Sequence, residues 1–233
     1  MSYTYPAEIA ASARPVDRAK FVSNTYSHLA GALLAFVGLE YLLLHSPIPQ
    51  AMMQLLGVGR FAWLLVLGMF MGVTWVSQRL AASESSRALQ YSGLALYTVA
   101  EAFLFLPLIW IAKETQGTEI IAQAAAITLA LVMGLTTIVF TTRKDFSFLG
   151  GIIKIACWVA FGCVIASALF GFTLGIFFSG AMVVVAAAAI LYTTSNILHN
   201  YRTDQHVVAS LALMSSVLTM FWYILRLLMS RRN

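Results

Sequence analysis

The chain has 233 residues, 61% hydrophobic and 10% charged, against roughly 45–50% and about 25% in soluble domains. With a mean hydropathy of +0.85, it has too few polar groups to cover a water-soluble surface, so a soluble fold is excluded. The net charge of +5 gathers at the ends of apolar runs and forms no basic stripe, so no nucleic-acid partner is expected.

A membrane-spanning helix takes about 20 mostly apolar residues. Runs of that kind fall at 24–45, 60–79, 88–112, 119–141, 148–170, 173–198 and 206–229. Irregular backbone in lipid would leave its polar groups unpaired, so each run is predicted to be helical. The alternating segments of a barrel are missing. The expected fold is all-α: a polytopic membrane protein with a bundle of seven transmembrane helices. Its predicted layout is a cytoplasmic amino-terminal tail at 1–23, a membrane domain at 24–229 and a short carboxy-terminal tail at 230–233.

The first thirteen residues of the tail, Met1 to Ala13, lack the basic-then-apolar layout of a secretory signal. Further along, the tail carries Arg14, Arg18 and Lys20. The first span carries Glu40 toward its outer end, read as a surface carboxylate reaching for the interface, and Gly31 with Ala35 at four-residue spacing. The second holds Gly68 and Gly72, a pattern that lets helices approach closely and is read as packing within the bundle. The third places Glu101 at mid-membrane, six residues before Pro107. Acids at that depth are costly and are functional suspects by default. Glu101 reads either as a proton-sensing or cation-lining carboxyl, or as a protonated structural acid bonded to a neighbouring helix.

Between the fourth and fifth spans lies Thr141-Thr142-Arg143-Lys144-Asp145-Phe146-Ser147-Phe148-Leu149-Gly150-Gly151. Three consecutive charges followed by aromatic and glycine residues predict a tight surface hinge. In the fifth span, Lys154 is expected to extend back to the boundary, toward Asp145. Cys157 and Cys163 point about 120° apart on one helix and cannot pair with each other; they read as small buried hydrophobes. Gly171 and Gly175 sit at a turn. Trp110 and Trp222 are candidate interfacial anchors, and Arg226 lies near the outer end of the last span.

His28, His45, His199 and His206 are scattered near span ends without metal-ligand spacing. They read as solvated loop histidines, pH sensing being the alternative for His199 and His206. No metal or cofactor is expected. Walker, HExxH and GxSxG motifs are absent, and Ser179-Gly180 has no histidine at its depth, so the chain is not expected to be an enzyme. Arginine and lysine favour the side holding the tail, Arg79, Arg87, Arg143, Lys144 and Arg202 over the side holding Arg60 and Lys113. The amino terminus is therefore predicted in the cytoplasm. Seven spans then put Arg231 and Arg232 outside, against that rule. Membrane lipids are the expected surroundings.

The hinge from Thr141 to Gly151 resembles the fourth–fifth connection of the Bax inhibitor-1 family, in its bacterial YccA-like branch. Ala189-Ile190-Leu191-Tyr192-Thr193-Thr194-Ser195-Asn196-Ile197-Leu198-His199 is similar to the end of the family's sixth span, with Asn196 and His199 in the motif. Asn24-Thr25-Tyr26 is a third, weaker match. Glu101 with Pro107 fits a third-span pattern of some members, although Leu106 replaces the usual glycine. The similarity extends over about residues 20–230.

The resemblance implies six helices around a central seventh, in a bacterial inner membrane. It further implies either modulation of the membrane-bound ATP-dependent protease FtsH with its HflK–HflC partners, or a pH-sensitive leak for Ca2+ or H+. In the leak members two aspartates form the pH sensor, and their positions fall here on Thr193 and Ser216. Neither residue titrates near neutral pH, so that switch is not expected to operate. Arg79 is a loose match to a cationic latch partner. Glu101 remains the mid-membrane acid with family support, and the Arg18–Lys20 tail is the expected contact for a protease.

Overall fold

The computed structural model describes residues 8–57, 59, 61–84 and 86–231, except for the side chain of Arg231. Arg60 and Arg232, both used above for orientation, lie outside the described residues.

The helices run in order as α1 (Pro15–Leu44), α2 (Ile48–Gly57), α3 (Ala62–Ala81), α4 (Arg87–Gln116), α5 (Thr118–Thr142), α6 (Leu149–Phe170), α7 (Ile176–His199) and α8 (His206–Arg231). Among the described residues, seven of them are long and apolar enough to cross a membrane. The exception is α2, ten residues long, which fills the first–second connection that the apolar pattern leaves blank. Helix α1 begins at Pro15, ahead of the apolar run that starts near residue 24. Proline suits a first helical turn, where its missing N–H would have no partner.

Helix α8 is the most enclosed span and α6 the least. Around α8 pack α1, α3, α4, α5 and α7, whereas α6 leans chiefly on α7. Five of the other six spans thus surround the seventh, where the resemblance implies six, and α6 joins them through α7. Met214, Met220 and Leu225 of α8 are fully buried. Near mid-bundle, Phe105 of α4 meets Phe36 of α1 edge-on at 5.3 Å, stacks on Phe221 at 5.9 Å and meets Trp222 edge-on at 4.9 Å. Trp222 is half-buried and packs against the core through this contact. Helix α4 continues through Pro107 without interruption.

The small-residue pattern is corrected too. A β-carbon at Gly31, Gly68 or Gly72 would meet nothing within 4 Å, because these residues face outward. The close crossings lie elsewhere. At Gly93 a β-carbon would sit 2.5 Å from the Ala81 nitrogen and 2.6 Å from the Ser77 carbonyl, so α3 and α4 touch backbone to backbone. Gly171 ends α6 at φ +76°, a left-handed turn that glycine adopts without steric cost.

The amino-terminal segment is not free. Ala10 donates its N–H to the Tyr201 carbonyl at 2.8 Å, and Thr203 donates to the Glu8 carbonyl at 3.0 Å. Arg18 then donates from Nε to the Ala10 carbonyl at 2.7 Å and from Nη2 to the Ala11 carbonyl at 2.6 Å. Residues 8–13 are thereby folded onto the α7–α8 connection.

Candidate functional site

The three sequence motifs that lie far apart along the chain converge on the last two turns of α7. Thr193, Thr194 and Ser195 are buried there, and successive residues on a helix point about 100° apart. Each hydroxyl therefore addresses a different neighbour.

Ser195 accepts the Phe146 backbone N–H at 2.9 Å and lies 3.4 Å from both Asp145 Oδ1 and His199 Nδ1. His199 Nδ1 also sits 2.9 Å from the Ser195 carbonyl, one turn back. Asp145 accepts the Ser147 backbone N–H at 2.8 Å and the Ser147 hydroxyl at 3.1 Å. The backbone N–H does most to hold the Asp145 carboxyl below its ordinary range, with His199 and Ser195 adding to it. One turn earlier on α7, the ring of Tyr192 covers Gly150, where a β-carbon would lie 2.7 Å from Cε2. The hinge and the sixth-span motif are therefore one rigid unit. Asn196 contributes its carbonyl, which accepts the Asn200 and Tyr201 N–H groups and closes the helix.

Arg143 and Lys144 project from this unit and are exposed. Arg143 ends α5 in the left-handed conformation at φ 50°, which costs a residue bearing a β-carbon roughly 1 kcal/mol. Lys154 is exposed and forms no ion pair among the described residues. The Arg79 guanidinium lies over the Trp75 ring at 5.1 Å.

Thr194 turns toward Tyr26 of α1 and Thr136 of α5. None of these three buried hydroxyls makes a hydrogen bond of good geometry among the described residues. Thr193 turns toward α8, its hydroxyl 3.3 Å from that of Ser216. Ser216 also lies 3.2 Å from the Ala212 carbonyl and can donate to it. Thr193 then donates to Ser216.

Glu101 is 5% exposed and accepts the Tyr97 hydroxyl one turn back on α4. Ser215 of α8 lies beside that hydroxyl. Glu40 departs from its reading as an interfacial carboxylate. It too is only 5% exposed, and neither oxygen has a hydrogen-bond partner among the described residues. It sits one turn beyond Phe36, on the face of α1 that packs inward. Cys157 is exposed on the outer face of α6, also against its reading as a buried residue. The histidines are less scattered than their spacing implies, since His28 and His206 meet at 4.9 Å between ring centres.

The profile described as "Inhibitor of apoptosis-promoting Bax1" matches residues 18–233. The chain belongs to the Bax inhibitor-1 family. An uncharacterized protein of Pseudomonas aeruginosa is 30% identical over 213 residues, covering 88% of this chain and 86% of that one. "Bax inhibitor 1" of Schizosaccharomyces pombe is 28% identical over 176 residues, covering 73% of this chain and 63% of the yeast protein. "Modulator of FtsH protease YccA" of Escherichia coli is 31% identical over 111 residues, covering 47% and 50%. The last likeness thus spans about half of each protein. The names of the yeast and Escherichia coli relatives describe an inhibitor and a modulator rather than catalysts.

Proposed function

We propose that this family member is a regulatory protein of a bacterial inner membrane that acts by contact on an FtsH-type membrane-bound protease, with HflK–HflC as further partners. The observation that carries this reading is the braced hinge. Arg143 and Lys144 are presented on a turn held by Ser195, Asp145 and Tyr192. A backbone conformation easier for glycine is occupied by an exposed arginine there, and such local strain gathers at functional positions. The relative named as an FtsH modulator supplies the partner's class. Because Arg18 is engaged with the Ala10 and Ala11 carbonyls, the hinge is a better contact than the tail. With the amino terminus in the cytoplasm, the hinge faces the same side as that tail. Affinity capture of the full chain in mild detergent should recover protease or HflK–HflC subunits, and Arg143→Glu with Lys144→Glu should lose them. Capture of neither by the native chain contradicts the reading.

A second reading rests on Glu101. A carboxyl enclosed at mid-bundle and bonded to Tyr97 supports a leak path for H+ or Ca2+. Reconstituted vesicles should then pass protons or calcium, and Glu101→Gln should abolish the flux. Flux equal to that of empty vesicles removes this reading.

A further inference from the structure

Between the middle of α1 and the first turn of α8, two imidazoles face each other. His28 Nδ1 lies 2.6 Å from the Asn24 carbonyl and donates to it, which fixes the proton on that nitrogen. Nε2 is then the acceptor of the neutral ring and takes the Tyr91 hydroxyl at 3.1 Å. The His28 ring is also stacked on Tyr91, with centres 5.5 Å apart and planes at 24°. His206 opens α8, its ring centre 4.9 Å from that of His28. The charged and hydrogen-bonding groups that act on the pair are Tyr91 and Arg87 from α4 and Asp204 from the α7–α8 connection. Asp204 is already engaged, accepting Arg202 Nε at 3.1 Å and Nη2 at 2.7 Å.

We infer that His28 and His206 form a proton-binding site whose occupancy governs the contact between α1 and the first turn of α8. With both rings neutral the contact is a packed aromatic one, and His28 accepts from Tyr91. Proton binding makes each ring a cation and turns His28 Nε2 from acceptor to donor, so the Tyr91 bond must reverse. It also sets two positive rings beside Arg87 and the positive end of the α8 dipole, with one carboxylate, already shared, to offset them. The charges separate α1 from α8 and strain the pairing of residues 8–13 with the connection at 201–203. Histidine is the side chain that ordinarily titrates between about pH 5 and 8, so the site answers to changes in cytoplasmic acidity. It stands apart from both functional readings above and uses neither Glu101 nor the hinge.

The test is a distance measurement on the full chain in lipid nanodiscs. Spin labels are placed at Ala19→Cys and Asn200→Cys, both exposed positions, with Cys157→Ser and Cys163→Ser removing the native thiols. Electron–electron resonance should show a longer-distance population growing as pH falls from about 8 to about 5.5. His206→Gln and His28→Gln should each abolish that growth. His206→Arg, which carries the charge permanently, should show the longer population already at about pH 8. An unchanged distribution across this range in the native chain overturns the inference. So does a pH response that survives in both glutamine variants. If a glutamine variant does not fold, the native titration and His206→Arg still decide the matter.

Discussion

Gly150 shows how a single missing atom shapes the hinge. A β-carbon there would lie 2.7 Å from Tyr192 Cε2, closer than any stable carbon contact, and the ring is held in the braced end of α7. Gly150→Ala is expected to lower stability by about 1–3 kcal/mol, the usual range for overpacking. Thermal unfolding in detergent checks this, and Tyr192→Ala in the same chain should recover much of the loss. At Gly93 the obstacle is the backbone of α3, so Gly93→Ala should cost more, and no side-chain truncation should rescue it. Asp145 gives a pH signature. Its folded-state affinity for protons is lowered, so its stabilisation is present above the unfolded value of 3.8 and lost as pH falls through the lower folded value. Asp145→Asn should therefore unfold at a lower temperature than the native chain near neutral pH. The two curves should converge in acid below the ordinary aspartate range. A gap that is constant with pH would contradict the assignment.

At the scale of elements, Ser195 ties the α5–α6 hinge to α7 by accepting the Phe146 N–H. Ser195→Ala removes that acceptor, and amide exchange at Phe146 should speed up while exchange in the middle of α8 stays unchanged. Much of this layer was legible in the sequence. Length and apolarity alone mark the seven spans, and the charge run at Arg143–Asp145 marks the hinge. Helix α2 was not legible, because a ten-residue segment lacks the length that makes a spanning run stand out. The start of α1 is masked in the sequence because Val16 to Lys20 is polar enough to resemble a tail, although Pro15 is a helix-start signal. Glu40 and the His28–His206 pair could not be read at all. Periodicity tells which residues share a face of one helix, whereas the neighbour across that face is fixed by tertiary packing. The outward Gly68 and Gly72 carry the same lesson in reverse, since small-residue spacing is indifferent to whether the opposite surface is protein or lipid.

At the scale of the whole molecule, an odd number of spans, seven with α8 among them, is expected to put the two termini on opposite sides of the membrane. With the amino terminus cytoplasmic, a carboxy-terminal reporter that is active only outside the cytoplasm should be active, and an inactive one would contradict full passage of α8. The same topology brings the Arg143–Lys144 hinge, the Arg79–Arg87 connection and the folded amino-terminal segment to one face. That face carries the basic residues a cytoplasmic partner would meet, while the apolar perimeter, with α6 at its edge, faces lipid. The proposed regulation is restraint of a membrane-bound protease by contact through this face. The most direct measurement is the rate at which purified FtsH degrades a membrane substrate in vesicles with and without the full chain. Degradation should slow when the native chain is present and return to the unrestrained rate with Arg143→Glu and Lys144→Glu. Equal rates with and without the native chain would contradict the claim.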